Sequence, residues 1–239
     1  MSLRIEPYGD AAVLVRLGET FSERRWNRVH RLAATVRTVL KDTVTDVIPT
    51  YASVLVEFDP LRTAGDEVAA AVKALIDHAT DSDTDYPTRT ARVFVIPVVY
   101  GGPFGPDLKD VAHWEGMTPE ELVEAHTRPA YRIRCLGTPV GEPLLDGPPL
   151  PRPVPRRPTP RTRVPSGSVA LAGRQATIYT GESPGGWALI GQTPLRFARP
   201  IDPPVPYRPG DIIRFLPIPP HAFAQWQGVP VETVEAPSP

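Results

Sequence analysis

The chain is 239 residues long, 41% hydrophobic and 22% charged, with a formal net charge of -1. That length builds one large domain or two ordinary ones, while the apolar share and near-zero charge argue against a disordered chain and a nucleic-acid-coating surface. A single cysteine, Cys135, leaves no disulfide framework or multi-cysteine zinc site; with no secretory leader and no apolar window of about 18 residues, a soluble, cytoplasmic protein is expected.

Proline divides the chain. Residues 1–90 hold 4 of the 32 prolines and 3 of the 18 glycines. Two architectures are therefore expected, over residues 1–88 and 89–218, meeting near the polar segment Asp81–Thr90. A Pro-rich, poorly ordered tail is expected over 219–239.

In the first region Ala11–Leu17 reads as an apolar strand after a Gly9-Asp10 turn. Thr20 and Glu23 fit a capping box, and Trp26, Val29, Leu32, Ala33, Val36, Val39 and Leu40 form a 3/4-spaced helical stripe. His30 and His78 fall on amphipathic helices as surface or boundary residues. Val44–Ile48 and Ser53–Phe58 read as a hairpin, Thr63 caps a second helix reaching Ala79, and Val93–Val99 returns to strand. Hairpins and helices on one sheet give a small α/β sandwich of the α+β class.

The second region begins with helices over Leu108–Trp114 and after Thr118, where Pro119 and Glu121 complete a start signal. Beyond Tyr131–Cys135, short runs punctuated by Pro and Gly follow: Ser168–Ala172, Ala176–Thr180, Trp187–Ile190, Leu195–Ala198 and Ile212–Leu216. That pattern predicts a closed or nearly closed β-barrel, with proline at corners and edges, where no ladder donor is needed.

Three places carry candidate chemistry. Tyr100-Gly101-Gly102 opens a glycine-rich strand-to-helix loop ending at Asp107; it lets a backbone approach a ligand or serves only as a tight connection capped by Asp107. Ser183-Pro-Gly-Gly-Trp187, with Gln175 and Tyr179, fits a pocket-lining turn or two barrel hairpins with Trp187 in the core. His126 ends a helix, where it is a favourable terminal charge or a proton carrier. Cys135 is a core thiol. Arg152–Arg163 carries five arginines and no acid, and reads as an anion-contacting strap or, preferably, a solvated connector. No metal motif is present.

These residues also carry a family resemblance. Gly9-Asp-Ala-Ala12, Val47–Ser53, Ile96–Leu108, His126, Pro165-Ser-Gly-Ser168, Gln175, Tyr179, Ser183–Trp187, Gly191-Gln-Thr-Pro194 and Pro209-Gly-Asp211 resemble the KipI / 5-oxoprolinase B-subunit family. This is also called allophanate hydrolase subunit 1, a carboxyltransferase-domain subunit. The resemblance runs from about residue 6 to 218. It implies a C-terminal cyclophilin-like β-barrel after the N-terminal domain, and pairing with the homologous 5-oxoprolinase C-type subunit and a third subunit. It further implies ATP-dependent opening of a small cyclic amide, 5-oxo-L-proline to L-glutamate, with ATP and Mg bound in the assembled hetero-oligomer. Within that implication His126 and Asp107 are the catalytic or anchoring groups. Tyr100, Gly101, Gly102, Gln175, Tyr179, Ser183, Gly185, Gly186 and Trp187 bind substrate. Other relatives look like inhibitors of a sensor histidine kinase or carboxyltransferase subunits, and a degenerate structural partner is a further reading.

The chain departs from the family pattern after Cys135. A Gly-Phe-x-Pro-Gly-Phe-x-Tyr-Leu type segment is usual there; here it is Leu136-Gly-Thr-Pro-Val-Gly-Glu-Pro-Leu-Leu145, without the aromatic residues. Gly137, Pro139 and Gly141 keep approximate register. Gln192 stands in place of the usual arginine, which removes an anion contact.

Overall fold

The computed structural model describes residues 3–78, 90–138, 140–197 and 205–231. The chain forms two compact units, Met1–Thr90 and Ala91–Pro239. Residues 79–89, which hold the end expected for the second helix and all but Thr90 of the expected linker, lie outside the described residues, as do Pro139, Ala198 and residues 232–239 of the expected tail.

The first unit runs β1 (Arg4–Pro7), β2 (Ala12–Arg16), α1 (Glu23–Val39), β3 (Val44–Pro49), β4 (Ser53–Phe58) and α2 (Gly65–His78). Its antiparallel sheet has the order β1-β2-β4-β3. Alternation along β4 buries Val54, Val56 and Phe58, and these join the stripe of α1 and Val68 and Val72 of α2 in one core. One covered face and one wetter face is the usual arrangement of an antiparallel sheet. Three details differ from expectation. Ser22, not Thr20, caps α1 through Arg25 N–H at 3.2 Å. Val39 is exposed, and His30 is buried with its ring 4.4 Å from that of Trp26.

The second unit contains β5 (Val93–Tyr100), α3 (Leu108–Glu115), α4 (Pro119–Thr127), β6 (Tyr131–Gly137), β7 (Glu142–Asp146), β8 (Arg161–Val164), β9 (Ser168–Ala172), β10 (Gln175–Ile178), β11 (Ser183–Gly185), β12 (Ala188–Gln192), β13 (Ile212–Pro217) and α5 (Phe223–Trp226). Seven of these strands close a barrel in the order β10-β7-β6-β13-β5-β12-β9. β5 and β13 pair in parallel and the remaining pairs are antiparallel. The fold class is α+β.

Residues on both faces of β5 are buried from Phe94 to Val99 because helices cover the barrel beside it. α3 packs against β12 and α4 against β13. The start of α4 is fixed by the predicted capping box: Thr118 Oγ1 accepts from Glu121 N–H at 3.2 Å, and Glu121 Oε2 accepts from Thr118 N–H at 2.8 Å. Cys135 is buried, which pushes its thiol up to about 12. The strand expected at Leu195–Ala198 is instead a single bridge between Arg196 and Pro230, beside buried Leu195 and Phe197. Residues 220–231, expected as a poorly ordered tail, carry a 3-10 turn and α5 and end in buried Val231.

Candidate functional site

Two clusters gather on β12, one at each end of the glycine-rich loop that leaves β5. Gly101 N–H donates to Ile190 O at 3.1 Å, and Asp107 N–H donates to Leu189 O at 2.9 Å. The loop lies so close to β12 that a Cβ on Gly105 would stand 2.0 Å from Ile190 O, so only glycine fits there.

At the first end Tyr100 meets His126. Tyr100 Oη and His126 Nδ1 are 2.8 Å apart. His126 is fully buried among the rings of Tyr100, Tyr131 and Phe215, with centroids at 5.7, 5.6 and 4.4 Å. Tyr131 Oη donates to the His126 carbonyl at 2.7 Å. Burial pushes His126 down to about 3, so the imidazole is neutral near pH 7. Burial, with Tyr131 nearby, holds the Tyr100 phenol well above its ordinary range. With the phenol donating to Nδ1, the imidazole proton sits on Nε2, which has no partner. Tyr100 also lines a groove of about 470 Å3 with Leu108, Pro119, Val123, Glu124 and Pro217. The phenol therefore stands between that groove and a buried, neutral histidine, and both groups keep their neutral forms near pH 7.

At the other end the Asp107 carboxylate accepts four bonds. The donors are Leu189 N–H at 2.7 Å, Arg161 Nη1 and Nη2 at 2.9 and 2.8 Å, and Arg157 Nη1 at 3.0 Å. Burial alone would raise its pKa; the Arg161 hydrogen bonds, Leu189 N–H and the charges of Arg161 and Arg157 outweigh that and hold it below the usual carboxylate range. Asp107 occupies the cap position of α3, yet its side chain caps nothing there. It is an anchor. The segment expected as a solvated connector is thus a strap pinned to a buried acid, and its β8 pairs with β11.

The strap brings the Ser183–Trp187 turn with it. Ser183 pairs with Val164, Gly185 with Arg161, and Arg157 N–H donates to Gly186 O at 2.8 Å. Trp187 is half-buried, with the Arg156 guanidinium 5.8 Å above its ring. Tyr179 is buried with Val164, Ala170 and Leu189, and Gly185 has no room for a Cβ because Tyr179 Oη would lie 2.3 Å from it. Gly101 and Gly102 form the turn after β5, with φ of 71° and 53°. Gln175 lies on β10, where it pairs with Asp146 and Ala172 beside a cleft of about 10 Å3, room for roughly one water.

Residues 3–206 match the family described as carboxyltransferase domain, subdomain C and D. The 5-oxoprolinase B subunit of Bacillus subtilis (strain 168) is 35% identical over 221 residues, covering 89% of this chain and 92% of that protein. The chain belongs to this family. The protein of the same name from Escherichia coli O157:H7 is 37% identical over 87% of the chain and 93% of its own length. Among solved structures, TTHA0988 superposes with a TM-score of 0.71 at 33% identity over 87% of the chain, and the chain spans 40% of that protein. Kluyveromyces lactis urea amidolyase shares the fold, with a TM-score of 0.72 at 20% identity over 93% of the chain and 15% of its own length.

Sequence reasoning missed Arg157 and Arg161 and the aromatic enclosure of His126. The arginines had a visible signal: five cations without an acid need counter-charge, and Asp107 is the carboxylate that the glycine-rich loop delivers. Tyr131 and Phe215 had none, because their closeness to His126 is set by barrel closure. No described helix is long and apolar enough to cross a membrane.

Proposed function

We propose that this chain is the B-type member of a cytoplasmic, multi-subunit, ATP-dependent amide hydrolase that opens 5-oxo-L-proline to L-glutamate. It acts beside a homologous barrel subunit and a third subunit. The observation that carries this reading is the similarity to the 5-oxoprolinase B subunit over nearly the full length of both chains. Lactam opening is difficult because amide resonance removes electrophilicity from the carbonyl carbon. Transfer of a phosphoryl group to the carbonyl oxygen removes that resonance, which is the chemistry ATP supplies.

Among the described residues no three His, Cys, Asp or Glu side chains converge, and the Asp107 carboxylate is committed to Arg157, Arg161 and Leu189 and so is not free to hold a Mg-nucleotide. In this reading the nucleotide belongs to the assembled complex, and this chain holds the amide. Tyr100, backed by neutral His126, anchors the amide through a hydrogen bond, Asp107 keeps the strap in place, and Tyr179 with Ser183–Trp187 lines the amide pocket. The test is co-purification with the homologous subunit, then assay of ADP and glutamate from 5-oxoproline and ATP with all subunits present. Turnover dependent on this chain is expected. A correctly assembled complex without turnover overturns the reading, and stoichiometric inhibition of a sensor kinase in its place supports the regulatory alternative.

A further inference from the structure

The turn between β6 and β7 carries a group that the Tyr100–His126 pair does not use. It passes through Thr138, the one non-glycine residue with positive φ (55°) among the described residues. It closes with Gly141 N–H donating to Thr138 O at 3.1 Å. Glu142 follows at the start of β7, 8% exposed, and its Oε1 has no hydrogen-bond partner. The backbone around it is held from two directions. Thr177 Oγ1 donates to Pro143 O and Thr180 Oγ1 to Val140 O, each at 2.9 Å, which brackets Glu142 against the stretch that carries Tyr179. Tyr207 Oη donates to Gly141 O at 3.0 Å. Beyond Tyr179 lies the Ser183–Trp187 turn.

A buried carboxyl without a partner is unfavourable, and such groups in native proteins call for an explanation. Nothing described in the barrel neutralises this one. Its titratable neighbours are the phenols of Tyr179 and Tyr207, with Arg156 and Arg161 reaching Tyr179 from the strap. Burial pushes Glu142 up to about 7, with no hydrogen bond or ion pair drawing it back. Near neutral pH much of it is therefore a neutral acid, presenting an O–H donor and a C=O acceptor side by side. The complement of that pair is an amide whose N–H and C=O lie on the same side. A small ring forces this arrangement, whereas an open-chain secondary amide is almost always trans and cannot offer both groups together.

We propose that Glu142 is a substrate-recognition residue of the barrel, pairing its carboxyl with the adjoining N–H and C=O of a small lactam. This rests on the amide-hydrolase reading and names the group that selects its substrate class. The residue lies in the segment where this chain departs from its family pattern.

The probe is 2-pyrrolidinone, titrated into the full chain by calorimetry or ligand-observed NMR at pH 5.5 and 8.5, with N-methyl-2-pyrrolidinone as the analogue lacking N–H. The wild type is expected to bind 2-pyrrolidinone at least about tenfold more tightly than the N-methyl compound. Its affinity falls at the higher pH, because a carboxylate has no proton to donate. Glu142→Met loses about tenfold or more. Glu142→Gln offers the same donor and acceptor from an amide, so it keeps the affinity and removes the pH dependence, a result that a merely structural role does not produce. Equal affinity for the two lactams overturns the proposal. So does unchanged binding by a folded Met variant, or no lactam binding by either the chain or the assembled complex. The two readings fail separately. A complex that hydrolyses 5-oxoproline with KM unchanged in Glu142→Met keeps the hydrolase and removes Glu142. Lactam binding through Glu142 without ATP-dependent turnover does the reverse.

Discussion

Replacing Asp107 with Asn keeps the side chain's shape and removes its charge, which isolates what the carboxylate does for the strap. The Asp107 side chain is only 7% exposed, that of Arg161 22% and that of Arg157 39%. The Arg157 pair is therefore discounted towards the surface value of well under about 1 kcal/mol. The shielded part is the two-pronged Arg161 pair and the Leu189 N–H bond, charge-assisted bonds worth ~1.5–3 kcal/mol each at most, and these act as a unit. A loss of about 3 kcal/mol follows, at the lower edge of what breaking a fully buried pair costs. For a unit of this size that lowers the barrel's melting temperature by about 6–10 °C. The carboxyl's pKa is lowered in the fold, so its contribution is present above the ordinary carboxylate range and is lost as pH falls through the lowered value. Wild type and variant therefore converge in strong acid. Calorimetry measures the shift, and trypsin reads the strap directly, since Arg156, Arg161 and Arg163 are its arginines not followed by proline. Faster cleavage at those three sites is expected. A melting temperature within about 1 °C of wild type and unchanged cleavage would refute the anchoring role.

Two further outcomes are expected. Tyr100→Phe leaves His126 Nδ1 buried without its donor, which lowers stability by about 1–3 kcal/mol in denaturant titration; in the assembled complex it raises KM, and an unchanged KM would remove Tyr100 from substrate anchoring. Gly105→Ala drives a Cβ into Ile190 O and is expected to lose at least about 2 kcal/mol. Gly102→Ala meets nothing within 4 Å and costs only the left-handed strain of roughly 1–2 kcal/mol, so equal losses at the two positions contradict the packing of this loop on β12.

The helices and the long strands were legible because their signals are local. The stripe from Trp26 to Val36, the box at Thr118 and Glu121, and the run Val93–Val99 all appear where periodicity and capping put them. The short strands were not. β8 and β11 pair charged or proline-bearing segments, Arg161–Val164 with Ser183–Gly185, and what holds them is the Asp107 carboxylate more than 50 residues away in the chain. Likewise Thr20 and Ser22 both satisfy the cap preference, and only the path of the chain from Leu17 decides for Ser22. For the candidate site, the glycine-rich loop and His126 were visible as residue types. Their consequences were not: whether a histidine is a surface charge or a buried neutral ring depends on Tyr131 and Phe215, brought in by strands that follow it.

His126 and Glu142, both shifted by burial, pull stability in opposite directions, and this gives a pH profile that either group alone cannot. His126 is lowered from 6.5 to about 3 by burial. Between those values the unfolded chain binds the extra proton, so stability rises with pH across that window. Glu142 is raised from 4.5 to about 7 by burial. There the folded chain holds the extra proton, so stability falls as pH rises from about 4.5 to about 7. Each slope is at most ~1.4 kcal/mol per pH unit, and the one from Glu142 is smaller because its carboxyl is only partly shielded from water. The two oppose each other between about pH 4.5 and 6.5, leaving a shallow rise beyond a steep acid side. Glu142→Gln removes the falling arm alone. The variant is expected to gain stability more steeply than the wild type across that range, and to exceed it most above about pH 7. Denaturant titrations at half-unit steps of pH measure both curves. Parallel curves for the two proteins would mean that Glu142 is ionised in the folded barrel, and with that the donor it offers to a lactam is gone.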